Sequence, residues 1–208
     1  MKETAKYPLL VATTNPKKLI ELQTLLSDLP VKLLCLQDLP HFKEVPETGK
    51  TFQENAALKA TGYAQQSGML ALGEDSGLCC DALEGAPGVY SARFAGESKK
   101  DIDNNLKLLK LLEKMPDNCR TAYFKSVVAL ASPAGLIGTA EGEVHGYISR
   151  ESLGGHGFGY DPIFFYPPFK KTFGEVPAEM KHQVSHRGKA LAKAKILLQD
   201  YLLKDSRS

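Results

Sequence analysis

Two long β-prone runs, Ala122 to Ala131 and Leu136 to Ile148, are separated only by Ser132-Pro133-Ala134-Gly135. Proline and glycine in so short a linker make a turn, so the runs read as a hairpin, whose strands must be antiparallel. Upstream the pattern differs, because strand-like and helix-like segments alternate. Tyr7 to Thr13 is a short apolar run; Leu19, Leu22, Leu25, Leu26 and Leu29 follow at helical spacing, and Val31 to Leu36 reads as a second strand. Thr51-x-x-Glu54 is a capping box that opens a helix with Phe52, Ala56, Ala60 and Tyr63 on one face, ending near Gly68. Met69 to Gly73 reads as a short strand that runs into Glu74-Asp75-Ser76-Gly77, with Leu78 to Leu83 extended beyond it. A helix from about Lys99 places Ile102, Leu106, Leu109 and Leu112 inward, and a last helix from about Arg187 to Leu203 buries Ala190, Ala194, Leu197, Leu198, Tyr201 and Leu202. Alternation early and a hairpin late require an α/β fold with a mixed sheet.

At 208 residues the chain is long enough for one sizeable core, or for one domain with a cleft between two lobes. No repeat or linker divides it, so residues 1–208 are expected to form a single domain. A formal net charge of +2 provides no global field for nucleic acid, so no nucleic-acid partner is expected. No apolar run approaches the roughly 20 residues that cross a bilayer, so no membrane partner is expected either. Met1 to Lys6 lacks the apolar core of a secretory signal. Cys35, Cys79, Cys80 and Cys119 form no Cys-x-x-Cys pair, which argues against a zinc site or disulfide framework and for reduced thiols in the cytoplasm.

Four segments carry chemistry. Thr13-Thr14-Asn15-Pro16-Lys17-Lys18 stands at a strand-to-helix turn, where free N–H groups and a partial positive charge suit phosphate; it serves equally as a capped helix start. It is no P-loop, lacking the glycine cradle. Asp75, in the acidic quartet, has the oxygen chemistry of a Mg²⁺ ligand together with Glu44 or Glu47, or of a capping acid. Gly155-His156-Gly157-Phe158-Gly159-Tyr160-Asp161-Pro162 is either a rigid loop that presents aromatic faces to a flat ligand such as a nucleobase, or a turn that carries two core aromatics. Lys181 and Arg187 donate hydrogen bonds without accepting any, and with His186 they suit a carbonyl-rich base edge, phosphate oxygens, or an exposed helix start. Asn55 and Lys59 lie one turn apart at the edge of their helix's apolar face.

Taken together these parts resemble the inosine/xanthosine triphosphate pyrophosphatase family. The carriers are Thr13 to Lys18, Glu47-Thr48-Gly49-x-x-Phe52-x-Glu54-Asn55-Ala56-x-x-Lys59-Ala60, Glu74-Asp75-Ser76-Gly77-Leu78, Gly85-Ala86-Pro87-Gly88-Val89-Tyr90-Ser91-Ala92-Arg93, Gly157 to Phe164 and Ser185-His186-Arg187-Gly188. The resemblance implies a long mixed sheet flanked by helices, two lobes with a central substrate cleft, and a homodimer. It implies Mg²⁺-dependent hydrolysis of dITP, ITP and XTP to the monophosphate and pyrophosphate. By the same resemblance Asp75 is general base and metal ligand, and Glu47 falls nearest the family's other metal-linked glutamate, with Glu44 close by. Thr13, Thr14, Asn15, Pro16, Lys17, Lys18, Lys59 and Ser76 match triphosphate contacts. Phe158, Gly159, Tyr160 and Asp161 match the base loop, and Lys181, His186 and Arg187 the base edge. The chain departs from many bacterial members at Thr14, where glycine is usual, at Glu74, where a second aspartate stands, and at His156, which is often a small residue. Two other readings fit the same parts: a pyrophosphatase for modified pyrimidine triphosphates, and a non-catalytic nucleotide sensor.

Overall fold

The computed structural model describes residues 7–13, 16–39, 42–97 and 100–205; the side chains of residues 16–18, 21, 24 and 205 are outside this description. Strand β1 (Tyr7–Val11) leads to helix α1 (Pro16–Leu25), β2 (Val31–Cys35), α2 (Phe52–Ser67), β3 (Leu70–Cys80) and α3 (Asp101–Leu111). The long pair β4 (Thr121–Ser132) and β5 (Gly135–Ile148) follows, then β6 (Phe164–Tyr166), β7 (Lys171–Thr172), α4 (Ala178–Val184) and α5 (His186–Asp205). The sheet order is β2-β1-β3-β4-β5-β6-β7. β1 pairs parallel with β2 and β3, and β6 pairs antiparallel with β5 and β7, so the sheet is mixed. β4 and β5 form the expected hairpin, since only an antiparallel pair closes through a two-residue connection. No helix among the described residues is long and apolar enough to cross a membrane.

The chain divides into two compact units, each assembled from separated stretches of sequence. The first comprises residues 1–75, 127–141 and 190–208, and the second 76–126 and 142–189. Each has its own core. In the first, Leu9, Val11, Leu72, Leu130 and Leu198 are buried together. The second is more aromatic: Phe124, Phe164 and Phe173 pack with centroids 4.6–6.3 Å apart among Leu78, Leu108 and Ile148.

Local chemistry explains the ends of α2. Thr51 accepts from the Glu54 N–H at 3.1 Å while Glu54 accepts from the Thr51 N–H at 3.2 Å, and Gly68 caps the other end at φ 69°. Two elements differ from the sequence expectation. β3 is one continuous strand of 11 residues, so Glu74-Asp75-Ser76-Gly77 lies inside it rather than beyond its end. Its glycines allow close packing rather than a turn: a Cβ on Gly73 would stand 2.5 Å from the Ala56 carbonyl oxygen, and one on Gly77 would meet Ser91. In α3, Ile102 and Leu106 are 72% and 60% exposed, while Asn104, Asn105 and Leu108 are buried. Polar contacts turned the helix: the Asn104 side-chain oxygen Oδ1 accepts from the Ala95 N–H at 2.6 Å and its side-chain amide nitrogen donates to the Ala92 backbone carbonyl at 3.2 Å.

The cysteines divide by burial. Burial pushes the Cys80 thiol up to about 12 and shifts Cys79 in the same direction. Cys119 is exposed and Cys35 half-buried. Iodoacetamide at about pH 8 should therefore modify Cys119 and then Cys35 in the folded protein, and reach Cys79 and Cys80 only in denaturant. Peptide mass mapping after timed labelling checks this; early modification of Cys80 would contradict its burial.

Candidate active site

In the first unit the site begins with Asn55, which is 1% exposed near the start of α2. Its side-chain oxygen accepts the Gly49 N–H at 2.8 Å, and its amide nitrogen donates to Asp75 Oδ2 at 3.0 Å. One residue thus staples the incoming loop to the strand that carries the acid. Gly49 is required there, because a Cβ would lie 2.6 Å from Glu54 Cβ and 2.7 Å from Asn55 Oδ1. One turn along α2, Lys59 Nζ stands 3.8 Å from Asp75 Oδ1 and 3.2 Å from Glu47 Oε2. Two carboxylates from distant parts of the chain therefore converge on one cation, in a setting where the Lys59 and Asp75 side chains are only 13% and 12% exposed.

A cavity of about 560 Å³ adjoins this cluster; Thr13, Glu44, Glu47, Lys59 and Glu74 line its polar side. Glu74 faces the cavity while its neighbour Asp75 bonds Asn55, as alternation along a strand requires. Glu47 rather than Glu44 makes the ion pair with Lys59. The Thr13 N–H donates to the Val11 carbonyl at 2.8 Å, closing the end of β1. Thr14 and Asn15 lie outside the described residues, as do the side chains of Pro16, Lys17 and Lys18, whose backbone forms the first turn of α1.

In the second unit a set of donors surrounds one ring. Lys181 Nζ lies 4.8 Å and the Arg187 guanidinium carbon 5.3 Å from the Phe158 centroid, close enough for cation–π attraction. Lys181 is also 2.5 Å from Asp161 Oδ2, with Asp161 only 1% exposed. The same carboxylate oxygen accepts the Phe158 N–H at 2.9 Å. Gly157, at φ 78°, is needed because any side chain there would collide with that carboxylate. Asp161 thus holds both the loop and the lysine. Arg187 is 3% exposed, and one of its terminal nitrogens donates to Ser76 Oγ at 3.3 Å. His186 stacks on Phe124 at 4.8 Å and 12°.

Of the two loop aromatics, only one is presented. Tyr160 is 4% exposed, its hydroxyl donates to the Ser91 carbonyl at 2.8 Å, and burial raises its pKa. It anchors the loop from within, whereas Phe158 is half-buried beside Lys181 and Arg187. Sequence reasoning left Asn55 without a role, although an asparagine four residues after a capping threonine and four before a lysine was visible.

The family model described as the Ham1 family matches residues 9–196. The chain belongs to the Ham1 family. It is 53% identical to the dITP/XTP pyrophosphatase of Desulforamulus reducens over 91% of this chain and 94% of that one. It is 52% identical to the dITP/XTP pyrophosphatase of Geobacter sulfurreducens over 93% and 96%. Among solved structures, a HAM1 protein from Coxiella burnetii superposes with a TM-score of 0.87 at 39% identity, covering 93% of this chain and 99% of that chain. This Ham1-family chain therefore shares its mixed sheet and flanking helices with structurally known relatives along nearly their whole length.

Proposed function

We propose that this chain hydrolyses the nonstandard purine nucleoside triphosphates dITP, ITP and XTP to the monophosphate and pyrophosphate. The observation that carries the reading is the chemistry around Phe158: two buried cations that donate hydrogen bonds and accept none, beside a flat ring. Relatives about half identical over more than nine-tenths of the chain are dITP/XTP pyrophosphatases, which supports it. Phe158 stacks on the base, and Lys181 and Arg187 meet its 6-oxo edge. Adenine would turn a 6-amino donor toward donors, leaving buried groups unpaired, a mismatch worth up to about 10⁴–10⁵ in other enzymes.

In the reaction a water oxygen attacks the α-phosphorus, the bond from that phosphorus to the bridging oxygen breaks, and pyrophosphate leaves with the bonding pair. Asp75 takes the proton of the attacking water; the Asn55 amide orients its carboxylate. Lys59 offsets charge on the phosphate oxygens. The oxygen-only pair Glu47 and Asp75 already converges on one cation, the Lys59 ammonium, and so fits a hard divalent ion. When bound there, Mg²⁺ would neutralise phosphate charge and acidify a water. Hydrolysis of ITP should accordingly fall in EDTA and return with added Mg²⁺; full activity in EDTA would remove the metal from the reaction.

The enzyme is cytoplasmic, in keeping with its unpaired cysteines, and a homodimer. The second unit leaves Tyr90, Ile102 and Leu106 more than half exposed, apolar surface that a partner copy could cover. Light scattering on the purified protein gives its mass. The deciding experiment is incubation with Mg²⁺ and, separately, dITP, XTP, dGTP, dATP and dUTP, with products separated by chromatography. Monophosphate and pyrophosphate from dITP and XTP, and none from dATP, are expected. Turnover of dUTP would favour a broader pyrophosphatase, and binding without turnover a nucleotide sensor.

A further inference from the structure

Helix α3 grips both backbone groups of Gly159, the residue that follows Phe158. The Gly159 N–H donates to Asp101 Oδ2 at 2.6 Å, and the Gly159 carbonyl accepts from the Asn105 amide at 3.1 Å. Asp101 and Asn105 are one turn apart on α3 and so address the loop from the same face. Gly159 itself sits in the left-handed region at φ 62°, a conformation that the two contacts hold from outside the loop. On the other side of Phe158, its own N–H is held by Asp161. The ring is therefore fixed by contacts on the peptide groups before and after it.

The fold alone does not call for this arrangement. Asn105 is 7% exposed and its side-chain oxygen is buried without a hydrogen-bond partner, while Leu106 beside it is 60% exposed. An apolar side chain at 105 would avoid the cost of an unsatisfied buried amide oxygen. A rule of burial broken at one position is expected where function requires it. A cavity of about 240 Å³, lined by Asp101, Asn105, Phe158 and Gly159 among others, adjoins the contacts and gives the loop room to retreat if they are lost.

We propose that Asp101 and Asn105 are positioning residues for Phe158, which set its ring beside Lys181 and Arg187 and thereby control affinity for the base. This rests on the reading of Phe158 as the base-stacking ring. The wild-type protein is first assayed with ITP, so that absence of turnover counts against that reading and not against the clamp. Asp101→Ala and Asn105→Leu are then compared with it, using inorganic triphosphate as a competitive inhibitor that has no base. Each variant should raise KM for ITP about tenfold with kcat within about twofold, while the inhibition constant of triphosphate is unchanged. Asp101→Asn keeps an acceptor for the Gly159 N–H and should return KM to near wild type. Asn105→Leu should melt no lower than wild type, which separates loop positioning from loss of fold. Wild-type KM in both variants, or a rise in the triphosphate constant that parallels KM, would overturn the proposal.

Discussion

Asp75→Asn should cut kcat for ITP by about a thousandfold or more while nucleotide binding persists. Removing a general base typically costs about 10²–10⁴. Asparagine keeps the shape of aspartate and can still accept the Asn55 amide hydrogen bond, so the local fold is preserved. What it cannot do is take a proton at pH 7 or share a cation with Glu47 as a second carboxylate. Loss of turnover with retained binding is therefore the signature of a chemical role. Single-turnover kinetics beside calorimetric titration with ITP would show it; a kcat within a fewfold of wild type would remove Asp75 from the chemistry.

Asp161→Ala should be the most damaging single change to stability at the base loop. It strands Lys181, whose side chain is 10% exposed, and removes the acceptor of the Phe158 N–H. Breaking a buried pair by deleting one partner costs about 3–5 kcal/mol, because the surviving charge stays buried. For a chain of this size that lowers Tm by roughly 6–20 °C, taking about 2–4 °C per kcal/mol. Preference for ITP over ATP should fall at the same time. The double variant Asp161→Ala, Lys181→Met tests the cause. An apolar replacement of both partners is often neutral, so Tm should recover most of the loss while selectivity does not. If Tm stayed low in the double variant, the stranded charge would not be the source of the damage.

Both experiments address groups whose chemistry was legible in the chain but whose connections were not. Asp75 and Asp161 stood out as acids in unusual surroundings. That Asn55 ties Asp75 to Gly49, and that Asp161 holds both Phe158 and Lys181, required the folded structure. The aromatic loop shows the same division. Two readings, a ligand platform and a turn with core aromatics, were open for it, and each aromatic took one: Tyr160 is core and Phe158 stands by the cations.

Sequence by itself determined the features whose physics is short-range. The capping box at Thr51 and Glu54, the glycine stop at Gly68 and the turn between β4 and β5 depend on partners a few residues away, while the apolar stripe of α5 is written as helical periodicity even though the residues it packs with are distant. Tertiary structure decided which face α3 buries and why β3 needs glycine at 73 and 77. Apolar periodicity in α3 pointed to Ile102 and Leu106, yet Asn104 and Asn105 went inward, because their amides meet backbone groups of Ala92 and Gly159, 12 and 54 positions away. A hydrogen bond of that separation leaves no periodic trace in the chain, and only folding brings its two ends within reach.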